Sequence, residues 1–331
     1  MFPDDFRRFL LLPSLLYAFC MSTIWYTLIN PRAGAGRSLQ AWQRLQAALQ
    51  AASIETEVTY SEAPGQLTAL AAAALAAGHR HLLCIGGDGT VNEVVNAIAP
   101  LTDSASVRLA VFPAGTSTDW ARSWDIPRRP ADFARLLAAQ PHCYQDLGRA
   151  QYHVEGEPRT RYFCNVAGLA FDAFVVERLG VSRMGGFWGE LIYLRGILQS
   201  LWAFDCPRIE LQGGDMAFAG AAILCNAGLC RYSGGGMQLV PHALPDDGLL
   251  DLTLVEAMRP GEVLRALPLL FNGKLYSHPK AHHARARKAT IYAKPLTALE
   301  VDGEWLGHTP VVIDLLPRAL CVVAQSSRLR V

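Results

Sequence analysis

The chain has 331 residues, 51% of them hydrophobic and 18% charged, which suits well-filled interiors and is too long for one core, so two domains are expected. A formal net charge of +1 excludes the global basic field that would draw in nucleic acid. The eight cysteines form no CxxC pair and no zinc spacing, and they read as reduced, buried thiols of a cytosolic protein.

The N-terminus is charged from Asp4 to Arg8, then apolar from Phe9 to Cys20, with Pro13 breaking the run. That run is shorter than the ~20 residues of a spanning helix, and no small-residue cleavage site follows it. Residues 1–20 are therefore read as a non-native extension or a disordered arm, with Met21 as the working start and no transmembrane span.

Ile24 to Ile29 reads as the first strand. It runs into Asn30-Pro31-Arg32-Ala33-Gly34-Ala35-Gly36-Arg37, a glycine-rich turn whose arginines suit phosphate oxygens and which opens a helix from Ser38 to Ala52. Thr56 to Thr59 alternates as a strand with Ser61 at its end, and Pro64 to Ala77 is an alanine-rich helix closed by Gly78.

The strand Leu82 to Ile85 then meets Gly86-Gly87-Asp88-Gly89-Thr90-Val91-Asn92-Glu93, followed by a helical pattern with Val91, Val94, Val95 and Ile98 on one face. A glycine turn opening a helix presents bare N–H groups and a positive helix end to an anion. Asp88 beside a phosphate implies a bridging cation such as Mg2+. A third strand end, Leu109 to Phe112, enters Pro113-Ala114-Gly115-Thr116-Ser117-Thr118-Asp119-Trp120.

Repeated strand–helix units to about residue 140 indicate a parallel sheet wrapped by helices. The expected fold class is α/β, with an N-terminal doubly wound parallel-sheet nucleotide-binding domain. Ligands bind such sheets at the carboxyl ends of the strands, which gathers Arg32, Ser61, Asp88 and Thr116 around one crevice.

From Asp146 short alternating segments take over: Tyr162–Val166, 209–211, 221–226, 250–255, 289–293 and 299–301. They read as an antiparallel β domain with one helical insertion, Trp188 to Trp202, read as a covering helix with lipid contact as the alternative. Two strings here carry acids. Ala243 to Asp251 packs Asp246, Asp247 and Asp251 around Gly248, a turn suited to Mg2+ or Ca2+ or simply solvated. Val301-Asp302-Gly303-Glu304 places two carboxylates about a glycine at a strand end, where a proton can be accepted.

Together these strings carry a family signature. Asn30-Pro31 with Gly34, Gly86-Gly87-Asp88-Gly89-Thr90, Pro113-x-Gly115-Thr116-x-x-Asp119, Asp246-Asp247-Gly248 and Asp302-Gly303-Glu304 occur in the order and spacing that resemble the diacylglycerol kinase / sphingosine kinase catalytic superfamily, most closely the bacterial YegS-like lipid kinases. The resemblance runs from about Ile24 to the C-terminus.

It implies an ATP-binding domain at 21–145, a β-sandwich lipid-substrate domain at 146–322, a tail at 323–331 returning to the first domain, and a cleft between the two. The implied cofactors are ATP and Mg2+. The expected nucleotide-binding set is Asn30, Arg32, Gly34, Ser61, Gly86, Gly87, Asp88, Gly89, Thr90, Val91, Asn92, Glu93, Thr116 and Asp119. The resemblance puts metal ligands at the backbone of Leu244 and Leu249 and at the carboxylate of Asp247, beside the cation already read at Asp88, and makes Glu304 the proton acceptor with Asp302 beside it.

One motif departs from the family, where Gly-Thr-x-Asn-Asp-Phe is common: here Thr118 and Trp120 replace the Asn and the Phe. The rivals are an NAD kinase-like enzyme, a non-catalytic lipid- or nucleotide-binding regulator of the same fold, and a kinase for a soluble polyol. The expected partners are ATP and a lipid at the membrane surface, of diacylglycerol, sphingoid or phosphatidylglycerol type, met by a cytoplasmic protein peripheral to the inner face. Phe187, Trp188, Arg183 and Arg195 are residues for the bilayer or for the interior. A homodimer stays open.

Overall fold

The computed structural model describes residues 23–115, 118–180 and 187–325, with backbone alone for 187–194. The expectations for residues 1–20, Thr116, Arg183, the side chains of Phe187 and Trp188, and the tail beyond Gln325 lie outside the described residues.

The first region alternates strands and helices: β1 (Trp25–Ile29), α1 (Arg37–Ala51), β2 (Thr56–Tyr60), α2 (Gln66–Ala76), β3 (His81–Gly86), α3 (Asp88–Ile98), β4 (Arg108–Pro113), α4 (Asp119–Ser123) and α5 (Pro130–Ala139). β1, β3 and β4 pair in parallel in that order, and β2 lies on the outer side of β1. Leu82 to Ile85 is wholly buried, as a strand covered on both faces must be, and its continuous apolar run reflects that.

The second region comprises β5 (His142–Val154), β6 (Glu157–Phe163), β7 (Val166–Ala170), α6 (Phe171–Leu179), α7 (Phe187–Ala203), β8 (Arg208–Gly213), β9 (Met216–Gly228), β10 (Tyr232–Ser233), β11 (Met237–Gln238), β12 (Leu250–Glu256), α8 (Pro260–Phe271), β13 (Ala281–Ala286), β14 (Lys288–Lys294), β15 (Ala298–Val301) and β16 (Glu304–Val323). Its pairings are antiparallel, from the β5–β6 hairpin to β7–β9 and β9–β12.

There are two large cores, one around Trp25, Leu28, Leu83, Val94 and Phe133, which also takes in Leu147, Cys164 and Leu320 of the second region, and the other around Leu169, Ile209, Leu252, Leu299 and Ile313. The chain is thus a mixed α/β protein with a parallel half and a largely antiparallel half.

β16 joins them. It starts in the second region, bends past β5, and pairs in parallel with β4 through Cys321 and Val322 against Arg108 and Leu109. The return to the first region is thus made by the last residues of this strand. The segment read as one strand at Tyr162–Val166 is split between β6 and β7, because Cys164 and Asn165 turn their N–H groups onto the Asp302 carboxylate. The α8 helix was not read from sequence, and it packs beside Leu201, Ile223 and Val255 in a small satellite cluster.

Candidate active site

The ends of the parallel strands are tied to one another. Asn30 N donates to Ile85 O (3.3 Å), Ser61 N to Ile29 O (3.0 Å), and Ala114 N and Gly115 N both donate to Gly86 O (2.8 and 3.0 Å). The first turn is braced by Asn30. Its Oδ1 accepts from Arg32 N, its Nδ2 reaches Thr90 Oγ1, and its carbonyl accepts from Ser38 Oγ at 2.6 Å. Gly34 has φ 61°, and a Cβ there would stand 2.5 Å from Ala114 O, so two of the turns touch only because this side chain is missing.

Arg32 is exposed, while Arg37 folds back to donate to Gly34 O. Gly86 likewise leaves no room for a side chain, since Thr90 fills that space.

Asp88 is the first residue of α3, and its two carboxylate oxygens accept from Asp119 N (3.0 Å) and Trp120 N (3.1 Å). It therefore caps α4 and binds the second turn to the third. Asp119 continues outward, accepting from Gly235 N at 2.6 Å, which ties the third turn to the β10–β11 hairpin of the second region.

The two departures from the family pattern are both accommodated. Thr118 Oγ1 accepts from Arg128, and buried Trp120 donates its indole N–H to Gln145 Oε1 at 2.9 Å. Gln145 passes a hydrogen bond on to Cys164 O.

On α3, Val91 is buried core, and Asn92 and Glu93 point in different directions. Glu93 Oε2 accepts from Leu67 N at 2.9 Å, where α2 begins. Asn92 donates to Tyr162 O (3.1 Å) and Asp302 Oδ2 (2.8 Å) and accepts from Arg161 (2.6 Å). Through Asn92 the glycine string touches the second acid string directly.

Asp302 and Glu304 differ sharply. Asp302 sits in the left-handed region (φ 49°). Its carboxylate accepts from Asn92 and from the N–H groups of Cys164, Asn165 and Val166, the last three at 3.0 Å. Burial pushes its carboxyl up, and those donors hold the shift back. Every lone-pair direction is thus engaged, leaving this acid no free oxygen with which to take a proton beside Glu304.

The Glu304 side chain is 30% exposed and pairs with Arg161. A methyl placed on Gly89 would lie 4.0 Å from Glu304 Oε1, so the carboxylate faces the first turn of α3, one residue from Asp88. Burial raises its carboxyl above the usual glutamate range against the pull of Arg161, and Glu93 and Asp302 add to the rise.

The Asp246-Asp247-Gly248 turn is held from behind. Buried Asp146 accepts from Gly248 N (2.6 Å) and Arg318 N (2.7 Å), and its own N–H donates to Pro245 O. Asp247 accepts from Leu249 N at 3.1 Å and pairs with Arg285. Leu244 and Leu249 are partly buried.

Sequence reasoning missed Asp146, Arg161 and Gln145. The one available signal was a pair of polar residues, Gln145 and Asp146, inside the apolar alternation of β5.

Residues 25–150 match the family model of the diacylglycerol kinase catalytic domain, and residues 166–324 that of the YegS C-terminal NAD kinase beta sandwich-like domain. A protein of Pseudomonas syringae pv. syringae named as a YegS-like lipid kinase is 32% identical over 81% of this chain and 83% of its own length. A diacylglycerol kinase of Staphylococcus aureus (strain bovine RF122 / ET3-1) is 30% identical over 89% of this chain and 90% of its own.

The chain belongs to the diacylglycerol kinase and YegS-like lipid kinase family. It is an ATP-dependent kinase. The crystal structure of a diacylglycerol kinase from Bacillus anthracis str. Sterne shares the fold, with a TM-score of 0.68 at 21% identity, covering 92% of this kinase and 98% of that chain.

The kinase's own residues fit the groups its family implies. The turns at Gly34 and Gly86 bring bare backbone to the start of α3, which fits a polyphosphate. Among the described residues no three His, Cys, Asp or Glu side chains converge as a metal site. Asp247 with neighbouring carbonyls is a hard-oxygen set suited to a cation that keeps several waters, as Mg2+ does. No helix among the described residues is long and apolar enough to cross a membrane.

Proposed function

We propose that this kinase transfers the γ-phosphoryl group of ATP to a hydroxyl of a membrane lipid of diacylglycerol, sphingoid or phosphatidylglycerol type. The reading rests on one observation: Glu304, an acid of the second region, faces the N-terminal turn of α3 in the first.

In this reading Asn30, Arg32, Gly34, Ser61, the stretch Gly86 to Glu93, Thr116 and Asp119 form the nucleotide side. Asn30, Asp88 and Glu93 act there by shaping the backbone. The triphosphate lies against the start of α3, whose N–H groups and dipole favour negative charge. The lipid hydroxyl enters beside Glu304. As its oxygen bonds to the γ-phosphorus, the bond to the β-phosphate bridge breaks, ADP leaves, and the hydroxyl proton passes to Glu304.

Phosphoryl transfer depends mainly on alignment and charge neutralisation, and a positioned base adds about 10²–10⁴-fold. A carboxyl raised by burial suits that role, because the rise moves its proton affinity toward the working pH. Arg161 holds Glu304 against Asn92, and Asp302 fixes the turn beneath it. Asp247, with the carbonyls of Leu244 and Leu249, would hold Mg2+, which supplies charge neutralisation when bound, and Asp88, whose oxygens cap α4, would meet a cation through water. Residues 21–145 then serve the nucleotide and 146–322 the lipid, with the protein working at the inner membrane face.

Incubating the protein with labelled ATP, Mg2+ and a total lipid extract tests this. Label in a lipid supports the reading. Label on NAD+ alone, or ATP binding without transfer to any lipid, overturns it.

A further inference from the structure

Behind the Asp302–Glu304 hairpin lies a second pair of acids that the proposed transfer does not use. Asp172 opens α6, and Glu300 sits in β15 at 4% exposure. They meet over Gly168 of β7. A methyl on Gly168 would collide with a carboxylate oxygen of Asp172 and with one of Glu300, so the two oxygens crowd the same point. Ala170, just before α6, has φ 73°, a strained setting for a residue with a Cβ. That strain accompanies the turn that sends Asp172 over the sheet.

Asp172 Oδ1 accepts from Ala173 N, and Oδ2, the crowding oxygen, also accepts from Asn226 Nδ2, both at 2.8 Å, while Glu300 Oε2 accepts from Gly303 N at 2.7 Å. Gly303 is the residue between Asp302 and Glu304. A bond thus runs from the acid pair to the tip that carries Glu304.

We propose that Asp172 and Glu300 share one proton, and that this shared proton positions the hairpin bearing Glu304 for phosphoryl transfer. Two carboxylates so placed cannot both be charged without strong repulsion. With one proton between them they form an O–H···O bond that draws Glu300 toward Asp172 and holds Gly303. With none, Glu300 is pushed away, Gly303 loses its acceptor, and Glu304 loses its setting against Arg161.

Among the described residues, the groups around the pair do not supply a compensating cation. β9 brings Asn226 and the Cys225 thiol, which burial pushes up to about 12. Glu177 of α6 pairs instead with His308 of β16. Asp302 and Glu304 add negative charge, and Arg161 is committed to Glu304. Burial pushes the Asp172 carboxyl up to about 7 and raises Glu300 well above its usual range, with Asp172's charge adding to the rise.

The sign of the linkage follows. Between the ordinary carboxyl range near pH ~4 and about 7, the folded protein keeps the Asp172 proton that the unfolded chain has released, and Glu300 keeps its own to higher pH still. Stability therefore falls as pH rises through that window.

The inference rests on the kinase reading for its activity arm only, since melting needs no substrate. The wild type, Asp172→Asn and Glu300→Gln are melted from pH 5 to 8.5, and their lipid phosphorylation is followed over the same range. A neutral amide keeps a hydrogen bond without a titrating proton. Each variant removes one titrating carboxyl and is expected to make the wild-type fall in Tm across pH 5–7 shallower. Wild-type kcat is expected to fall on its alkaline limb as the shared proton is lost, and both variants should flatten that limb. Asp172→Ala, which cannot replace the bond, should lower kcat where Asp172→Asn restores it, with KM for ATP unchanged.

Unaltered Tm–pH and kcat–pH slopes in both amide variants would overturn the shared proton. A shallower melting slope together with loss of activity at every pH in Asp172→Asn would overturn the positioning role, making Asp172 a residue that touches the acceptor.

Discussion

The two walls of the site are made in opposite ways. At the ends of β1, β3 and β4 the structure depends on missing side chains: Gly34 lets one turn touch Ala114, and Gly86 leaves room for Thr90. At the Asp302–Glu304 hairpin it depends on side chains that are fully used, with Asp302 holding four N–H donors and Arg161 bridging Asn92 to Glu304. A wall of bare backbone offers donors to an arriving anion. A wall of satisfied acids offers one carboxylate held in place. The difference separates binding from chemistry, and substitutions on the two walls should fail differently.

The largest effect is expected at Glu304. Glu304→Gln keeps the shape and removes the base, so kcat should fall about 10²–10⁴-fold while KM for ATP stays near the wild-type value, as steady-state kinetics would report. On the other wall, Gly34→Ala forces a Cβ into Ala114 O at positive φ. The strain is about 1–2 kcal/mol before the clash is counted. ATP affinity measured by calorimetry should weaken by about tenfold, one step of 1.4 kcal/mol, with chemistry in the bound state less affected.

Asp302→Asn sharpens the contrast between the paired acids. An amide cannot accept from all four donors, and one buried N–H left unpaired costs about 1–3 kcal/mol. Denaturant melting should show that loss, with a smaller fall in kcat than Glu304→Gln causes. An equal fall would make Asp302 the acid that takes the proton.

The smallest effect is a shift along the pH axis. Arg161 lowers the proton affinity of Glu304 while burial raises it. A base must be ionised to work, so activity rises with pH through the Glu304 titration. Arg161→Gln should move that acid limb of kcat to higher pH, and an unmoved limb would separate Arg161 from the base.

Much of this was legible in the residues. Glycine turns after apolar runs marked the strand ends, because backbone exposure requires a local composition that shows in one dimension. The acids were found as types and not as roles. Asp302 and Glu304 look equivalent in Val301-Asp302-Gly303-Glu304, and only the folding of Cys164 to Val166 over Asp302 consumes one of them.

Asp88 read as a cation bridge, and the structure gives its oxygens to the start of α4. Asp146, Gln145 and Arg161 carried no local motif. Their partners lie far along the chain, at Gly248 and Arg318, at Trp120 and Cys164, and at Asn92 and Glu304. Pairings across such separations are set by the tertiary fold and leave no periodicity behind.

The most direct test is a single-turnover measurement. Wild type and Glu304→Gln are each loaded with labelled ATP and Mg2+, their bound ATP is quantified, and transfer of label to added lipid vesicles is followed in time. Equal ATP loading with transfer slowed at least about 10²-fold in the variant is the expected result. Equal loading with equal transfer would contradict the account, because the carboxylate facing α3 would then take no part in the reaction.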